Sequence, residues 1–454
     1  MKNVHGTILD CVGNTPIVKL NKIGSDLAHE FYVKCEFMNP GSSIKDRIAL
    51  QLVEDAEASG QLKPGGTIIE CTSGNTGMGL AMVAAVKGYK AVFVMPDKVS
   101  VEKVMSLRAF GARVVTTPTA VEPEDPRSYY SVGKRLASEI PDSFYADQYH
   151  NPSNPKAHYQ MTGPEIWEQM GEKLDYIVIA AGTGGTISGV AKFLKEKNPK
   201  IKAICVDPEG SVFYPYYKTG KVPKLLTTYK VEGFGEDFLP STLDFKIIDE
   251  MVQVSDKECF QTARDLARKE GIFAGGSCGG AVAAALKFAK TLPAKKTFLI
   301  LLADHGSRYL SKFYDDDWMR ENRFADEERL VGRIGDLLGG HRGGVVTADS
   351  GDIVGDVVAK MKKHSISQLP VLKSEKLLGL ISEVDLLNAL LEGRAHPDSR
   401  VGKFVDQDFI VLEPEAELAS VSGAFRQGKV VVVVEREKIV GIVTKIDFID
   451  FLSK

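Results

Sequence analysis

Lys45 is the residue of this sequence with the clearest capacity for covalent chemistry. It follows an Asn-Pro-Gly turn and two serines, in the stretch NPGSSIKDRIALQ, and stands at the start of a predicted helix. A lysine amine attacks aldehydes and carbonyls, and it acts as a base once it has lost its proton. A single lysine at such a position is most commonly a solvated side chain, so a chemical role requires partners elsewhere in the chain.

The first potential partner is the turn Thr72-Ser73-Gly74-Asn75-Thr76-Gly77, which follows an apolar run and opens the apolar stretch MGLAMVAAVKG. Hydroxyl groups and free N–H groups at a helix N-terminus bind small anions such as a carboxylate. A simple capping turn explains the same residues, so this motif alone leaves both interpretations open.

The second partner is the turn Gly182-Thr183-Gly184-Gly185-Thr186, between the apolar run YIVIAA and the helical pattern ISGVAKFLKEK. It lacks the third glycine of a dinucleotide fingerprint, which would stand at Ile187, and the Gly-Lys of a P-loop. The remaining N–H groups and two hydroxyls suit one phosphate monoester.

The third partner, Gly275 to Gly280, contains Ser277 and again precedes an apolar helix, where the commoner role of serine is that of an N-cap. A phosphate cup, a carboxylate cup and a lysine together favour pyridoxal phosphate. Lysine forms a Schiff base with its aldehyde, and its ring withdraws electrons from a carbon acid.

The elements that must position these turns are short apolar runs that alternate with amphipathic helical patterns from Phe31 to about Ala303. The runs include GTIIEC, AVFVMP, RVVTTP, YIVIAA, IKAICVDP and FLILLAD. This alternation predicts a mainly parallel, doubly wound α/β sheet, in which ligands lie beyond the carboxyl ends of the strands.

With these motifs in this order, the chain resembles fold-type II pyridoxal-phosphate enzymes of the cysteine synthase and cystathionine β-synthase group, from about Ile8 to Trp318. The matching stretches are NPGSSIKDR, TSGNTG, GTGGT and GGSCGG. The resemblance implies two lobes with mainly parallel sheets and a β-replacement reaction. It also implies the site residues, namely Lys45 as Schiff-base lysine and base, Asn75 for the cofactor's 3′ oxygen, Gly182, Thr183, Gly184, Gly185 and Thr186 for its phosphate, Ser277 for its pyridine nitrogen, and Thr72, Ser73, Thr76 and Gln148 for the substrate carboxylate.

Three further stretches bear on the substrates: DQYHNPSNPKAHY, VDPEGS and VEGFGEDFLP. They resemble cystathionine β-synthases, which join serine and homocysteine, more than they resemble cysteine synthases. The cysteine synthase reaction, between O-acetylserine and sulfide, remains the alternative. The comparison places Tyr149 in the site and Gly233 at its entrance. Glu236 departs from the family's EG-x-G-Y-D pattern, and we interpret it as a solvated rim residue rather than a partner for the homocysteine ammonium.

The animal enzymes of this group carry an N-terminal haem segment. Here the catalytic motifs begin a few residues after Met1, so we predict no haem and interpret His5 and Cys11 as ordinary residues.

The chain changes character after Trp318, where a charged stretch begins. We predict a catalytic domain over 1–318, a linker over 319–333, and two repeats over 334–392 and 393–454 that resemble a pair of CBS domains. GLISEVDLL and GIVTKIDFI begin 62 residues apart and share a Ser/Thr-x-x-Asp element. The resemblance implies that these elements, Ser382 with Asp385 and Thr444 with Asp447, bind an adenosyl effector. The alternative is that each element is a helix-capping box and that the CBS pair only joins subunits, which explains the same spacing.

Composition excludes several classes of protein. The 57 basic and 60 acidic residues give a net charge of −3 without a block of like charge, so neither nucleic acid nor a membrane surface is expected as a partner. Six cysteines without CxxC spacing predict neither disulfides nor a metal site. We therefore predict a soluble cytoplasmic homodimer or homotetramer with small-molecule substrates, and regard a non-catalytic adenosyl sensor as the rival class.

Overall fold

The structure is a computed structural model that describes residues 4–72, 74–97, 99, 101–118, 121, 125–223, 227–325, 332–338, 344–426 and 428–452. The chain forms two compact units, Met1–Ala325 and Asp326–Lys454. The division falls inside the stretch 319–333 that the sequence marks as a linker. Within the described ranges, no helix is both long and apolar enough to cross a membrane.

The first unit contains two separate sheets. A six-stranded sheet has the order β1-β2-β10-β7-β8-β9, and a four-stranded sheet has the order β5-β4-β3-β6. All neighbours are parallel except the edge strand β1, which pairs antiparallel with β2. The strands are β1 (Ile17–Lys19), β2 (Glu30–Cys35), β3 (Thr67–Cys71), β4 (Lys90–Pro96), β5 (Arg113–Thr117), β6 (Ser143–Tyr145), β7 (Tyr176–Ala180), β8 (Lys202–Pro208), β9 (Glu250–Val254) and β10 (Thr297–Leu302).

Helices connect these strands and cover both sheets. They are α1 (Lys45–Ala58), α2 (Asn75–Lys87), α3 (Val101–Ala109), α4 (Tyr129–Glu139), α5 (Ser153–Ala157), α6 (Gly163–Met170), α7 (Gly185–Lys197), α8 (Phe213–Thr219), α9 (Asp256–Asp265), α10 (Gly276–Ala289) and α11 (Asp316–Glu321). Two π-helical segments, His158–Thr162 and Leu266–Glu270, extend α5 and α9. The mainly parallel α/β architecture predicted from the alternating pattern is confirmed, and the presence of two sheets agrees with the two lobes that the resemblance implies.

The apolar strands are buried on both faces, which explains why they read as continuous apolar runs. Every residue of β3 is buried, and in β10 all residues after Thr297 are buried. The buried residues of α1 and α2 pack on the four-stranded sheet, while those of α10 pack on one face of the six-stranded sheet and those of α7 on the other. This packing fixes the helix N-termini beside the strand ends.

The second unit repeats one small fold twice. Its strands are β11 (Ala348–Asp349), β12 (Gln368–Lys373), β13 (Lys376–Ser382), β14 (Phe409–Leu412), β15 (Val430–Glu435) and β16 (Lys438–Val443), and its helices are α12 (Ile334–Leu337), α13 (Val354–His364), α14 (Glu383–Leu391), α15 (Leu418–Arg426) and α16 (Lys445–Leu452). Each three-stranded sheet combines one parallel pair with one antiparallel hairpin.

The two hairpins of the second unit match in detail. Both turn through two consecutive residues with positive φ, Ser374 and Glu375 in the first and Arg436 and Glu437 in the second. This conformation is typical of two-residue type I′ turns, whose twist suits a hairpin. The repeat that the sequence shows at a spacing of 62 residues is therefore a repeat of backbone geometry.

Candidate active site

Lys45 is the first residue of α1, and its position is fixed by the end of β10. The N–H of Ile44 donates to the carbonyl of Ala303 at 2.8 Å, and Ser43 forms a β-bridge with Asp304. The Lys45 side chain is half-buried. Burial lowers the pKa of the Lys45 ammonium, while the nearby carboxylates of Asp304 and Glu236 act in the opposite direction. Net lowering favours a neutral amine, which is the nucleophilic and basic form.

Asp304 joins three of the sequence motifs, although sequence reasoning did not identify it. Its Oδ2 accepts hydrogen bonds from Asn75 Nδ2 at 2.9 Å and from the hydroxyl of Tyr309 at 2.7 Å. Its carbonyl accepts from the N–H of Gly275 at 3.0 Å. The sequence feature that could have identified Asp304 is its position directly after the apolar run FLILLA, because parallel sheets bind ligands at the carboxyl ends of their strands.

Three glycine-bearing turns lead into helices whose N-cap residue is itself a glycine. Gly74, Gly184 and Gly275 are the N-cap residues of α2, α7 and α10, and none of these helices has a side-chain capping hydrogen bond within the described ranges. Ser277 is the second residue of α10, not its N-cap. In α7 and α10 a side-chain cap therefore does not account for the motif, and the first N–H groups are available to an anion. In α2 the hydroxyl of Thr72 already accepts from the N–H of Gly77.

The phosphate cup predicted at Gly182 to Thr186 forms the turn into α7. Gly184 has φ +81°, and a Cβ there would lie 2.3 Å from the Cβ of Leu243, so only glycine fits. The hydroxyl of Thr183 accepts from Asn154 Nδ2 at 2.9 Å. The hydroxyl of Thr186 lies 3.1 Å from Nε2 of His158.

His158 supports this cup as a neutral ring. It is fully buried, and its Nδ1 lies 2.9 Å from the hydroxyl of Thr162. Burial, together with the positive charges of Lys45 and Arg47, holds the pKa of His158 well below its usual range. A neutral ring orients the hydroxyl of Thr186 without adding a charge to the cup.

Ser277 and Gly233 connect the third turn to the phosphate cup. A Cβ on Gly233, whose φ is +92°, would lie 3.8 Å from Ser277 Oγ, and a Cβ on Gly182 would lie 3.0 Å from the carbonyl of Gly233. Ser277 is buried. The three residues thus border one space, and Ser277 brings a neutral hydroxyl to it.

The predicted carboxylate cup comes together around Gln148. Thr76 Oγ1 lies 2.6 Å from Gln148 Oε1, and Gln148 Nε2 donates to the carbonyl of Cys71 at 3.4 Å. Thr72 Oγ1 accepts from the N–H groups of Gly74 and Gly77. Ser73, the fourth predicted member, lies outside the described residues.

Asn75 and Arg308 complete the rim of this cup. Arg308 donates to Asn75 Oδ1 and to the carbonyl of Gly41. With Oδ1 and one N–H of Nδ2 engaged, the second N–H of Asn75 Nδ2 is the donor left for a ligand oxygen.

Tyr149 contacts Glu236, the residue that departs from the family pattern. Its hydroxyl donates to Glu236 Oε1 at 2.9 Å. Burial, followed by the charge of Glu236, raises the pKa of Tyr149 well above its usual range. Glu236 is half-buried, so it differs from the solvated rim residue expected from the sequence.

In the second unit, the two Ser/Thr-x-x-Asp elements form capping boxes. The N–H of Ser382 donates to Asp385 Oδ2 at 3.0 Å, and the N–H of Asp385 donates to Ser382 Oγ at 3.2 Å. Thr444 and Asp447 repeat these bonds at 2.8 and 3.4 Å. The capping interpretation therefore describes the contacts that these four residues make in the structure.

The residues of the first unit fit pyridoxal phosphate. They supply an amine for its aldehyde, N–H and hydroxyl donors at an uncapped helix for its phosphate, and a buried neutral hydroxyl for its ring nitrogen. At Gly233 a Cβ would meet only Ser277 Oγ, at 3.8 Å, so the absence of a side chain there leaves room beside that hydroxyl.

The fold and the site define a pyridoxal-phosphate-dependent enzyme, and the chain belongs to that family: the family model "Pyridoxal-phosphate dependent enzyme" matches residues 8–304. The CBS domain model matches residues 334–392 and 401–454. Among curated relatives, the chain is 40% identical to the cystathionine beta-synthase of Dictyostelium discoideum, over 100% of this chain and 93% of that protein. It is 37% identical to that of Saccharomyces cerevisiae, over 98% and 97% of the two chains.

Solved structures match the catalytic unit. A hydrogen sulfide-producing enzyme from Fusobacterium nucleatum is 38% identical with a TM-score of 0.63, covering 68% of this chain and 100% of that chain. O-ureido-L-serine synthase is 39% identical with the same TM-score, covering 70% and 99%. Because these two proteins are named for different reactions, the scaffold alone does not fix the acceptor.

Proposed function

We propose that this chain condenses serine with homocysteine to give cystathionine, in a β-replacement that depends on pyridoxal phosphate. The observation that carries the proposal is the position of Lys45, two residues after the β-bridge between Ser43 and Asp304. The charge of Asp304 acts on the Lys45 amine, and its carboxylate accepts from Asn75. Similarity to cystathionine β-synthases over nearly the whole chain supports the choice of substrates.

Pyridoxal phosphate, when bound, supplies an aldehyde that bonds covalently to an amine and a ring that withdraws electrons from the adjacent carbon. Lys45 is the residue that would hold the aldehyde, and the turn from Gly182 to Thr186 would hold the phosphate. The free N–H of Asn75 would meet the 3′ oxygen, and Ser277 would face the ring nitrogen.

Lys45 also provides the base. Burial lowers the pKa of its ammonium, so more of the amine is neutral near physiological pH than for a solvated lysine. Its Nζ would take the proton from the α-carbon of serine and return it later. The carboxylate of Asp304 stabilises the ammonium formed in between.

Ser277 shapes the type of reaction. A hydroxyl is neutral and does not hold the ring nitrogen protonated as a carboxylate would. Ser277 would thereby weaken the electron withdrawal that the cofactor supplies when bound, which would favour loss of the serine hydroxyl over accumulation of negative charge on the α-carbon.

Thr72, Thr76 and Gln148 orient the donor substrate. A carboxylate that accepts from these side chains and from N–H groups at the N-terminus of α2 would fix the α-carbon relative to Lys45. Ser73 belongs to the same proposed set.

The decisive experiment compares two substrate pairs, serine with homocysteine and O-acetylserine with sulfide, with products identified by mass spectrometry. We expect cystathionine from the first pair at the higher kcat/KM. Preferential formation of cysteine from the second pair would assign the chain to the alternative reaction.

For the second unit, we propose that Asp385 and Asp447 bind the ribose of an adenosyl effector. One carboxylate oxygen of each is held by the capping box, and the other can accept from ribose hydroxyls. Isothermal titration of the full-length protein with S-adenosylmethionine and with AMP tests this. Binding that Asp385→Ala or Asp447→Ala removes would support it, and no heat with either compound would exclude it.

The second unit also supports a proposed homodimer or homotetramer. On α14, the exposed residues Val384, Leu387 and Leu391 lie three or four positions apart and share one face. Ile446 and Ile449 on α16 are exposed in the same way. Exposed apolar faces of this kind are typical of association surfaces, and light scattering after size-exclusion chromatography would give the subunit number.

A further inference from the structure

The side-chain amide of Asn75 lies between two charged groups. Asn75 is the first residue of α2 and is half-buried. Arg308 donates to its Oδ1, and its Nδ2 donates to Asp304 Oδ2 at 2.9 Å. A cation therefore stands at the oxygen end of the amide, and a carboxylate stands at the nitrogen end.

These two partners permit only one orientation of the amide. A guanidinium has donors and no acceptor, whereas a carboxylate has acceptors and no donor. Asp304 Oδ2 also accepts from the hydroxyl of Tyr309, which keeps its proton because burial and the charge of Asp304 raise the pKa of Tyr309 well above its usual range. If the amide of Asn75 turned over, its oxygen would face the carboxylate and its nitrogen the guanidinium, so both hydrogen bonds would be lost.

Arg308 is itself held by the turn that precedes Lys45. It lies in the 3₁₀ segment Gly306–Tyr309, shortly after β10, and is half-buried. Its Nη2 donates to the carbonyl of Gly41 at 2.5 Å, and the N–H of Gly41 donates to Asp46 Oδ2 at 2.5 Å. The guanidinium thus uses one nitrogen for Asn75 and the other for the backbone, which fixes its position relative to the amide.

The amide has one N–H left for a ligand, and under the proposed function that N–H meets the 3′ oxygen of pyridoxal phosphate. Once the cofactor is joined to Lys45, one proton is shared between this oxygen and the Lys45 nitrogen. A donor at the oxygen stabilises its negative charge and so moves the proton to the nitrogen. Arg308 strengthens that donor, because a cation at Oδ1 draws electron density away from Nδ2.

We propose that Arg308 is a positioning residue that acts through Asn75. By fixing and polarising the amide, Arg308 keeps the shared proton on the Lys45 nitrogen instead of the 3′ oxygen, which leaves the carbon bonded to that nitrogen more open to attack by the donor amine. This inference rests on the proposed function, in particular on the role of Asn75. Arg308 itself lies outside the sequence motifs.

The test is the absorption spectrum of the full-length holoenzyme, saturated with pyridoxal phosphate and without substrate. The form with the proton on nitrogen absorbs in the visible, and the form with the proton on oxygen absorbs in the near ultraviolet. In Arg308→Met we expect the ratio of the visible to the near-ultraviolet band to fall about 3- to 10-fold, the range for losing one hydrogen bond. Arg308→Lys keeps a cationic donor and should recover part of the ratio.

A double variant shows whether Arg308 acts through Asn75. Asn75→Ala should lower the band ratio by itself, and adding Arg308→Met should then change nothing further, because the partner of the guanidinium is already absent. The matched control is Arg268→Met, at a side chain that is 65% exposed, which should keep the wild-type spectrum. Cofactor content, measured after release by alkali, should be the same in all these proteins.

Other results would overturn the inference. A wild-type band ratio in Arg308→Met, or an equal further loss in the Asn75→Ala background, would show that Arg308 does not act through the amide. Loss of cofactor content in Arg308→Met without a change in the ratio would mean that Arg308 only holds the turn at Gly41. If Asn75→Ala leaves the ratio unaltered, the proposed role of Asn75 fails as well. A wild-type protein without any cofactor band would refute the proposed function itself.

Discussion

Asn75 and Asp304 are joined by a hydrogen bond of 2.9 Å between Nδ2 and Oδ2, although 229 residues separate them in the chain. The bond ties the N-terminus of α2 to the segment that follows β10. The same Asp304 bridges to Ser43, two residues before Lys45. One carboxylate thus holds together groups contributed by both sheets of the first unit, and its charge acts on the lysine that the proposed function requires.

Replacing Lys45 tests the basis of the proposed reaction. Lys45→Ala removes both the cofactor link and the base, so we expect kcat to fall by a factor of about 10³ or more, with the fold retained. Product formation and circular dichroism measure the two effects. Lys63→Ala, at a side chain that is 69% exposed, is the matched control and should behave as wild type. Near-normal turnover of Lys45→Ala would refute the assignment.

Asp304 should tune the pH profile through Lys45. Its negative charge raises the pKa of the Lys45 ammonium, so Asp304→Asn lowers that pKa further. Because the neutral amine is the base, the acid limb of kcat should move to lower pH. Stopped assays across the pH range would measure it, with Asp317→Asn at an exposed position as control. A limb that moves to higher pH would contradict the expected sign.

Arg47 lies in a buried ion-pair network next to Lys45. Its Nε donates to Glu36 at 2.7 Å and its Nη1 to Glu165 at 2.9 Å, and both Arg47 and Glu36 are almost fully buried. Although burial opposes it, Arg47 holds the pKa of Glu36 below its usual range.

Breaking this network should be costly. We expect Arg47→Met to lower the free energy of unfolding by about 3–5 kcal/mol, since the carboxylate of Glu36 then stays buried without its main partner. Urea denaturation measures the loss. Adding Glu36→Gln should recover part of it, and a double variant as unstable as the sum of the single ones would argue against direct coupling.

Asp207 should make stability depend on pH. Its Oδ2 accepts from the N–H of Tyr214 at 2.8 Å, its Oδ1 is buried without a hydrogen-bond partner in the described part of the chain, and burial raises the pKa of Asp207 to about 7. An unfolded aspartate titrates near pH 4. Between about pH 4 and 7 the folded state therefore binds more protons, and stability falls as the pH rises.

The variant Asp207→Asn removes this titration, so its unfolding free energy should fall less between pH 5 and pH 8 than that of wild type. The difference is at most about 3 kcal/mol, since one pKa unit corresponds to about 1.4 kcal/mol and about two units lie between pH 5 and the folded pKa. Asp46, whose pKa burial also raises to about 7, should account for part of the slope that remains. Identical slopes for Asp207→Asn and wild type would exclude this contribution.

The capping box at Ser382 should contribute to stability whether or not an effector binds. Ser382→Ala removes the acceptor of the Asp385 N–H and should destabilise the second unit by about 1 kcal/mol. Thermal unfolding measures the loss, and Ser382→Thr should retain most of the stability. A neutral Ser382→Ala would show that the box is dispensable for folding.

Much of the fold followed from local patterns. The runs GTIIEC, AVFVMP and FLILLAD are strands because a parallel strand covered on both faces needs apolar residues at every position. Local patterns did not predict how the strands divide between the two sheets. Paired strands such as β2 and β10 are far apart in sequence, and an apolar run does not specify which strand it pairs with.

The sequence by itself determined the reactive groups: a lysine at a helix start, glycine turns with hydroxyls before apolar helices, and a duplicated hairpin and helix at the C-terminus. These are local properties, fixed by residue type and spacing. The tertiary structure decided which groups meet, bringing Asp304 to Asn75 and Glu236 to Tyr149. It also made Gly74, Gly184 and Gly275 the N-cap residues of α2, α7 and α10. Such contacts depend on long-range packing and on the electrostatics of burial, which emerge only when distant segments share one volume.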